Sequence, residues 1–341
     1  MKIQENIPLA AYTTFKIGGP ARFFCAVANE AELLEAVRFA QKEKLPFFVL
    51  GSGSNILVSD AGFPGVAIWM KIKGRTFTGS KGPTFFSVSV AAGEILDDFI
   101  EYAVNQGFYG LENLSAIPGT VGAAPVQNIG AYGAEVSNSI ESVRVLDTKV
   151  MKFVELSNTE CVFAYRDSIF KHEKGRYIIV SVNFRLSKEG KLNIDYKDLQ
   201  EYFSQKSISE PTVSEVRQAI IEIRSKKLPD WRKWGTAGSF FKNPIVTADK
   251  FKELEKQYSG LLGFPEPDGR VKLSLAWILD KVCNVKGMKY GKAQVYEEQA
   301  LVLVTMPGAM ATDVVGLSRK LMTIVEEKTG VEIEGEVEYM I

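Results

Sequence analysis

Two glycine-bearing stretches are the first candidates for chemistry. Ile117–Val136 reads IPGTVGAAPVQNIGAYGAEV and spaces Gly119, Gly122, Gly130 and Gly133 around Pro118 and Pro125. Neither helical nor strand periodicity runs through it, and glycine lets a backbone turn sharply and approach a ligand closely. Set in mid-chain among apolar residues, it predicts a buried loop wrapped around something flat and polar. A purely structural turn is the alternative. Gly51-Ser-Gly-Ser-Asn55 follows a short apolar run and resembles a phosphate loop. It lacks the Lys-Ser/Thr of a P-loop and the third glycine of a dinucleotide fingerprint. A strand, Ile56–Ser59, is expected after it, so turn N–H groups rather than a helix end would hold a phosphate. An ordinary hairpin turn explains the same residues.

Three other stretches carry reactive side chains. AYRDSIFK, Ala164–Lys171, places Arg166 between short strands. GTAGSFFKNP, Gly235–Pro244, places Ser239 behind small residues and ahead of two aromatics. Arg166 could instead serve an ion pair with Asp167 or another acid, and Ser239 a turn. The closing VEIEGEVEYMI, Val331–Ile341, sets Glu332, Glu334, Glu336 and Glu338 on one parity of an alternating strand. That is a solvated edge unless one of them points into a site.

What is missing narrows the chemistry further. The single histidine, His172, lies in the charged run KHEKGR and reads as a surface residue. HExxH zinc sites and two-histidine metal sites are excluded, and no metal is expected. Cys25, Cys161 and Cys283 form no CxxC pair and read as reduced, buried thiols of a cytoplasmic protein. Catalysis must then rest on carboxylates, hydroxyls, Arg, Lys or an organic cofactor.

The elements that must position these residues follow from periodicity. Helices are predicted over Asn29–Leu45, Glu94–Gln106, Val213–Lys227, Thr247–Tyr258, Leu273–Val282 and Ala311–Thr329. Strands are predicted at Phe47–Leu50, Val66–Met70, Phe85–Ala91, Ile140–Asp147, Met151–Leu156, Tyr177–Leu186 and Gln299–Met306. The class is α+β, and 341 residues allow two or three domains. The best boundary is Lys226–Trp234, KKLPDWRKW. With 41 basic and 41 acidic residues the net charge is zero, so that basic–aromatic mixture reads as a hinge rather than a nucleic-acid surface. No run is apolar enough to insert in a membrane, and the N-terminus is no signal peptide.

In order along the chain, LGSGSNILV, IPGTVGAAPVQNIGAYG, AYRDSIFK, KLPD, GSFFKNP and IEGEVEY resemble the UDP-N-acetylenolpyruvoylglucosamine reductases, the MurB family of peptidoglycan synthesis. LNIDYKDL, Leu192–Leu199, is similar to the tyrosine-bearing loop of the longer, type I members. The resemblance implies a PCMH-type (vanillyl-alcohol-oxidase-like) FAD-binding fold of two α+β domains, 1–73 with 331–341 and 74–226. A substrate-binding domain, 227–330, would complete it. It further implies non-covalent FAD, NADPH as electron donor, UDP-N-acetylenolpyruvoylglucosamine as substrate, and a monomer. An alcohol or sugar oxidase of the same superfamily is the rival reading, and a non-catalytic FAD- or nucleotide-binding module a second.

Carried over position by position, FAD would be held by Gly51, Ser52, Gly53, Ser54 and Asn55. It would also be held by Ile117, Pro118, Gly119, Gly122, Ala123, Gln127, Asn128, Gly130, Ala131, Tyr132 and Gly133 of the long loop. Ser239 matches the proton donor, with Arg166 and Glu336 completing the catalytic group. Tyr196, Lys227, Asn243 and Gln299 match contacts to the nucleotide-sugar. One departure is visible: Glu338 stands where the family commonly has arginine.

These residue types suit the implied reaction. Hydride from the flavin at the terminal carbon of an enolpyruvyl group leaves negative charge on the adjacent carbon, spread into the carboxylate. An arginine fork pairs with such a planar anion. A protonated Glu336 could donate a further hydrogen bond. A hydroxyl such as that of Ser239 suffices as acid toward so basic a carbon.

Overall fold

In the computed structural model, which describes residues 1–82 and 84–341, the chain divides into two compact units. The first comprises Met1–Ile7, Ala21–Ser52 and Pro64–Ser225; the second comprises Pro8–Pro20, Gly53–Phe63 and Lys226–Ile341. The division at Ser225/Lys226 falls at the start of the basic–aromatic stretch.

The first unit contains two sheets. One orders the strands Gln4–Pro8, Pro20–Val27, Phe63–Met70 and Phe47–Leu50. The other is antiparallel throughout, in the order Lys152–Ser157, Ile140–Asp147, Tyr177–Ser187, Phe85–Ala91, Arg75–Lys81. Its strands alternate because one face is buried: Val143, Val145, Val182, Val88 and Val90 are at most 1 % exposed. The helix Glu30–Lys42 starts where Asn29 accepts the Glu32 N–H, and buries Leu33, Ala36, Val37 and Ala40 at helical spacing. Leu96–Asn105 buries Phe99 against Phe184 at 4.9 Å between ring centroids. Val213–Lys227 buries Val216, Ala219, Ile220 and Ile223 against Leu199 and Phe203 of the helix Lys197–Gln205.

The second unit has a four-stranded sheet ordered Gly235–Ser239, Val302–Thr305, Ala293–Val295, Lys289–Tyr290. The helix Ala311–Thr329 packs Val314, Leu317, Leu321 and Val325 into its core. That helix is capped from far away in sequence: the Asp60 carboxylate accepts from the N–H groups of Ala311 (2.6 Å) and Thr312 (3.1 Å). Gly330 closes it at φ +64°.

Two predicted elements are corrected. Leu273–Val282 is not one α-helix but a turn, Leu275–Trp277, running into a π-turn, Ile278–Val282. Leu275, Ile278, Leu279 and Val282 stay buried, so the apolar spacing is kept while one turn widens. Val331–Ile341 is not a single ladder. Its first half buries Val331 and Ile333 and bonds irregularly to Phe240–Lys242 around Gly335; only Glu338–Met340 pairs as a strand, parallel to Ile56–Val58. The segment changes neighbours midway, which the uniform alternation could not reveal.

Candidate active site

In the first unit the long glycine stretch is strapped down by backbone bonds. Leu96 N–H donates to Gly119 O, Val121 N–H to Glu94 O and Gly122 N–H to Ala92 O, at 2.9–3.1 Å. Gly122 has no room for a side chain: a Cβ there would lie 2.5 Å from that of Ala92. The start of the stretch is tied by Asp97, whose carboxylate accepts from Ala116 N–H (2.7 Å) and from both terminal nitrogens of Arg217 (2.6 and 3.2 Å). Gly51 abuts Thr120, at 2.7 Å from a built Cβ to Oγ1, so the short glycine turn begins beside the long one.

The end of the stretch is a small hairpin, Gly130–Ala131 with Ala134–Glu135. Tyr132 (φ +48°) and Gly133 (φ +78°) form its left-handed turn. Arg166 docks on it. The segment Ala164–Asp167 is a tight turn closed by reciprocal backbone bonds of 3.1 Å, with Arg166 itself at φ +54°, and its Nη2 donates to Gly130 O at 2.7 Å. The Asp167 carboxylate bonds to His172 Nε2 at 2.7 Å on the surface.

Asn128 joins these parts. It is 1 % exposed; its Nδ2 donates to Glu135 Oε2 (2.8 Å) and Ala164 O (3.0 Å), and its Oδ1 accepts from Ser137 N–H (3.1 Å). Its side chain is thus committed within the protein. Ser168 Oγ adds a bond to Val126 O at 2.5 Å.

Tyr196 stands over the same hairpin, its ring edge-on to that of Tyr132 at 5.2 Å. The Tyr132 hydroxyl is pushed up to about 12 by burial, against the lowering effect of the Arg224 guanidinium beside it, so it remains a hydrogen-bond donor at neutral pH. Arg224 Nε is buried and unpartnered, and burial lowers the pKa of that guanidinium.

In the second unit the backbone sets the geometry. Ser239 ends a strand behind Gly238 (φ +74°) and opposite Val302. The next residue, Phe240, donates to Leu301 O (2.8 Å) and accepts from Glu336 N–H (2.7 Å). Ser239 and Glu336, far apart in sequence, are thereby one residue from a shared hydrogen bond. Asn55 of the short glycine turn joins them: its Nδ2 donates to Glu336 O (3.1 Å) and its carbonyl accepts from Glu338 N–H (3.0 Å). Gly53 packs so closely that a Cβ would lie 2.0 Å from Tyr12 O. Asn243 Oδ1 accepts from Leu275 N–H (3.0 Å) and Gln299 Oε1 from Leu301 N–H (3.3 Å); Lys227 ends its helix exposed.

Comparison with known proteins gives these loops a context. The FAD binding domain family matches residues 21–151, and the C-terminal domain family of UDP-N-acetylenolpyruvoylglucosamine reductase matches 230–340. The UDP-N-acetylenolpyruvoylglucosamine reductase of Neisseria gonorrhoeae is 42 % identical over 341 residues, covering 99 % of this chain and 97 % of the relative. This chain belongs to the UDP-N-acetylenolpyruvoylglucosamine reductase family. The Pseudomonas aeruginosa reductase is 39 % identical over 98 % of both chains. The crystal structure of the Thermus caldophilus reductase (MurB) superposes with a TM-score of 0.69 at 26 % identity, covering 100 % of each chain.

Membership makes this chain an FAD-dependent oxidoreductase with the α+β, PCMH-type fold. The loops fit that cofactor. Neither Gly51–Asn55 nor Ile117–Gly133 contains an acidic side chain, and left-handed backbone at Gly53, Gly119, Asn128, Tyr132 and Gly133 turns peptide groups out of regular pairing, as anion-binding turns require. Neither contains a histidine or cysteine to tether a flavin. Burial raises the Cys25 thiol to about 11 and the Cys161 thiol to about 12, leaving both inert. Among the described residues no His/Cys/Asp/Glu cluster could hold a metal, and no helix is long and apolar enough to cross a membrane.

No local pattern in the sequence marks Asn113 or Arg224, and Asn193 is carried only within LNIDYKDL, with no role of its own. Each acts through a carbonyl or ring distant in sequence.

Proposed function

We propose that this chain reduces UDP-N-acetylenolpyruvoylglucosamine to UDP-N-acetylmuramate, with NADPH as electron donor, in the synthesis of peptidoglycan precursors. The full-length identity to named reductases supports the reading, and one observation in the fold carries it: the Phe240 carbonyl bond that places Glu336 next to Ser239. Bound FAD supplies the hydride to the enolpyruvyl group. Ser239 gives the proton to the carbon that becomes carbanionic. Arg166, with Nη2 held by Gly130 O, presents its fork to the enolpyruvyl carboxylate, and Glu336, as the protonated acid, donates a hydrogen bond to the same anion.

Gly51–Asn55 and the Ile117–Gly133 loop hold FAD, with Asn128 contributing only backbone. Tyr196, Lys227, Asn243 and Gln299 contact the nucleotide-sugar. In this assignment, 1–73 with 331–341 and 74–226 serve the flavin and 227–330 the substrate, in a cytoplasmic monomer. The test is NADPH consumption by the purified yellow protein with and without the enolpyruvyl substrate. Substrate-dependent consumption with one FAD per chain is expected; consumption indifferent to the substrate would refute the reading.

A further inference from the structure

The loop carrying Tyr196 is fastened to the flavin loop by one buried amide. Asn113 is 2 % exposed, and its Nδ2 donates both to Tyr132 O and to Asn193 O, each at 2.8 Å. Tyr132 belongs to the Gly130–Glu135 hairpin; Asn193 lies three residues before Tyr196. Asn193 returns the contact, its Nδ2 donating to Gly133 O at 2.9 Å. Gly133 must be bare for this, since a Cβ there would come within 2.8 Å of that nitrogen. The Tyr132–Tyr196 ring contact completes the join. Asn113 Oδ1, in contrast, is buried with no partner. An unpaired buried acceptor is costly, so this amide stabilises the join through its two donors alone.

We propose that Asn113 is a positioning residue that makes docking of the Tyr196 loop depend on flavin. The two carbonyls it grips move together only when the Gly130–Gly133 turn holds its flavin-bound shape. FAD therefore favours the docked substrate loop, and by reciprocity a docked loop with substrate slows loss of FAD. This rests on the reading of Tyr196 as a substrate contact.

The test is hydrogen exchange across residues 190–198 in the FAD-loaded protein, repeated after FAD is removed and titrated back, for wild type and Asn113→Leu. Leucine is close in size and deletes both donors together with the orphaned oxygen. A merely structural amide predicts lower stability, from two carbonyls left without their donor, with loop exchange that still responds to FAD as in wild type. In wild type, removing FAD should speed exchange of the loop by about 5–150-fold, the usual span of coupling between sites. Asn113→Leu should exchange fast with FAD bound, show no further change on its removal, and raise the substrate KM while flavin reduction by NADPH keeps its rate.

Unchanged loop protection in FAD-loaded Asn113→Leu, or equal protection of wild type with and without FAD, overturns the proposal. Should Asn113→Leu not fold, Asn193→Ala, which deletes the bond to Gly133 O and the long 3.4 Å bond from Asp195 N–H, takes its place. Partial loosening of the loop supports the clasp, and none overturns it. Exchange needs no turnover, so a failed NADPH assay would sink the assigned reaction and leave this result standing by itself.

Discussion

The two units position their candidate catalytic groups by different means. In the second, Ser239 and Glu336 are set by backbone pairing: Phe240 bonds to Leu301 and Glu336, and Glu338 to Asn55. Where the chain must turn left-handed beside Ser239, a glycine, Gly238, does it without strain. In the first, left-handed backbone falls on Ala116, Asn128, Tyr132 and on Arg166 itself. Such conformations cost about 1–2 kcal/mol per non-glycine residue and persist only where neighbours over-determine them. Side chains do that here: Asn128 across the hairpin and the Arg166 turn, Asp97 at Ala116, Ser168 at Val126. Backbone-set geometry resists side-chain substitution nearby; side-chain-set geometry does not.

The largest expected effect lies in the backbone-set unit and comes from the reacting group alone. Ser239→Ala should fold, bind FAD and be reduced by NADPH at close to the normal rate. Its transfer to substrate should slow by at least about 10²–10⁴, the worth of a positioned acid, and Ser239→Cys should recover part of the loss. Stopped-flow measurement of the two half-reactions decides. If both slow equally, or neither slows, Ser239 is not the donor.

The next effect tests the contrast itself. Asn128→Ala removes three hydrogen bonds and should cost about 2–3 kcal/mol of stability, at roughly 1 kcal/mol each. It should also slow substrate reduction by letting the Arg166 turn relax. Asn55→Ala loses the side-chain bond to Glu336 O, worth about 1 kcal/mol, while the Glu338 N–H to Asn55 O pairing survives, so in the FAD-loaded protein the substrate step should slow less than in Asn128→Ala. Denaturant melts and single-turnover rates of the two variants measure this; equal losses would erase the distinction between the units.

A smaller effect is expected at Tyr196. Tyr196→Phe keeps the ring against Tyr132 and removes only a hydroxyl. Substrate affinity should fall by about 0.5–1.5 kcal/mol, the worth of one hydrogen bond, with flavin reduction by NADPH intact. Titration of the flavin absorbance with substrate checks it, and unchanged affinity would remove Tyr196 from the substrate site.

The smallest effect is a pH dependence that burial gives to thiols of both units, Cys283 included, and to Tyr132. Burial raises Cys25, Cys161 and Tyr132 in the folded state to about 11, 12 and 12, above the ordinary range of a thiol or a phenol. The folded state therefore keeps protons that the unfolded chain gives up. Their contribution is fully present below about pH 9 and declines as pH rises toward 12. Denaturant midpoints of wild type and Cys161→Ala between pH 8 and 10.5 should converge as pH rises; parallel curves would contradict the raised thiol.

Much of this was legible locally. The helices Val213–Lys227 and Ala311–Thr329 and the strand Phe85–Ala91 match their periodicity end to end, because each buries one face and the spacing of apolar residues records it. The glycine stretches announced themselves as loops, since no side-chain pattern could continue through them. Leu273–Val282 misled because a π-turn preserves burial while altering the hydrogen bonding. The closing segment misled because alternation records which face is buried and not which neighbour buries it.

Residue types and spacing by themselves determined the α+β class, the lack of a two-histidine metal site and the two glycine loops, while Ser239, Arg166 and Glu336 stood out as a group only through the resemblance to the reductase family. The first three are properties of composition and short-range order, which every stretch carries within itself. Only the tertiary structure decided that Glu336 hydrogen-bonds beside Ser239, that Asn55 joins them, that Asn128 spends its side chain on the Arg166 turn, and that Asn113 ties the Tyr196 loop to Tyr132. Each is a single hydrogen bond or small cluster between segments distant in sequence. Their partners are backbone carbonyls and N–H groups, which nearly every residue type supplies, so nothing in the letters of the sequence distinguishes the pair that meets.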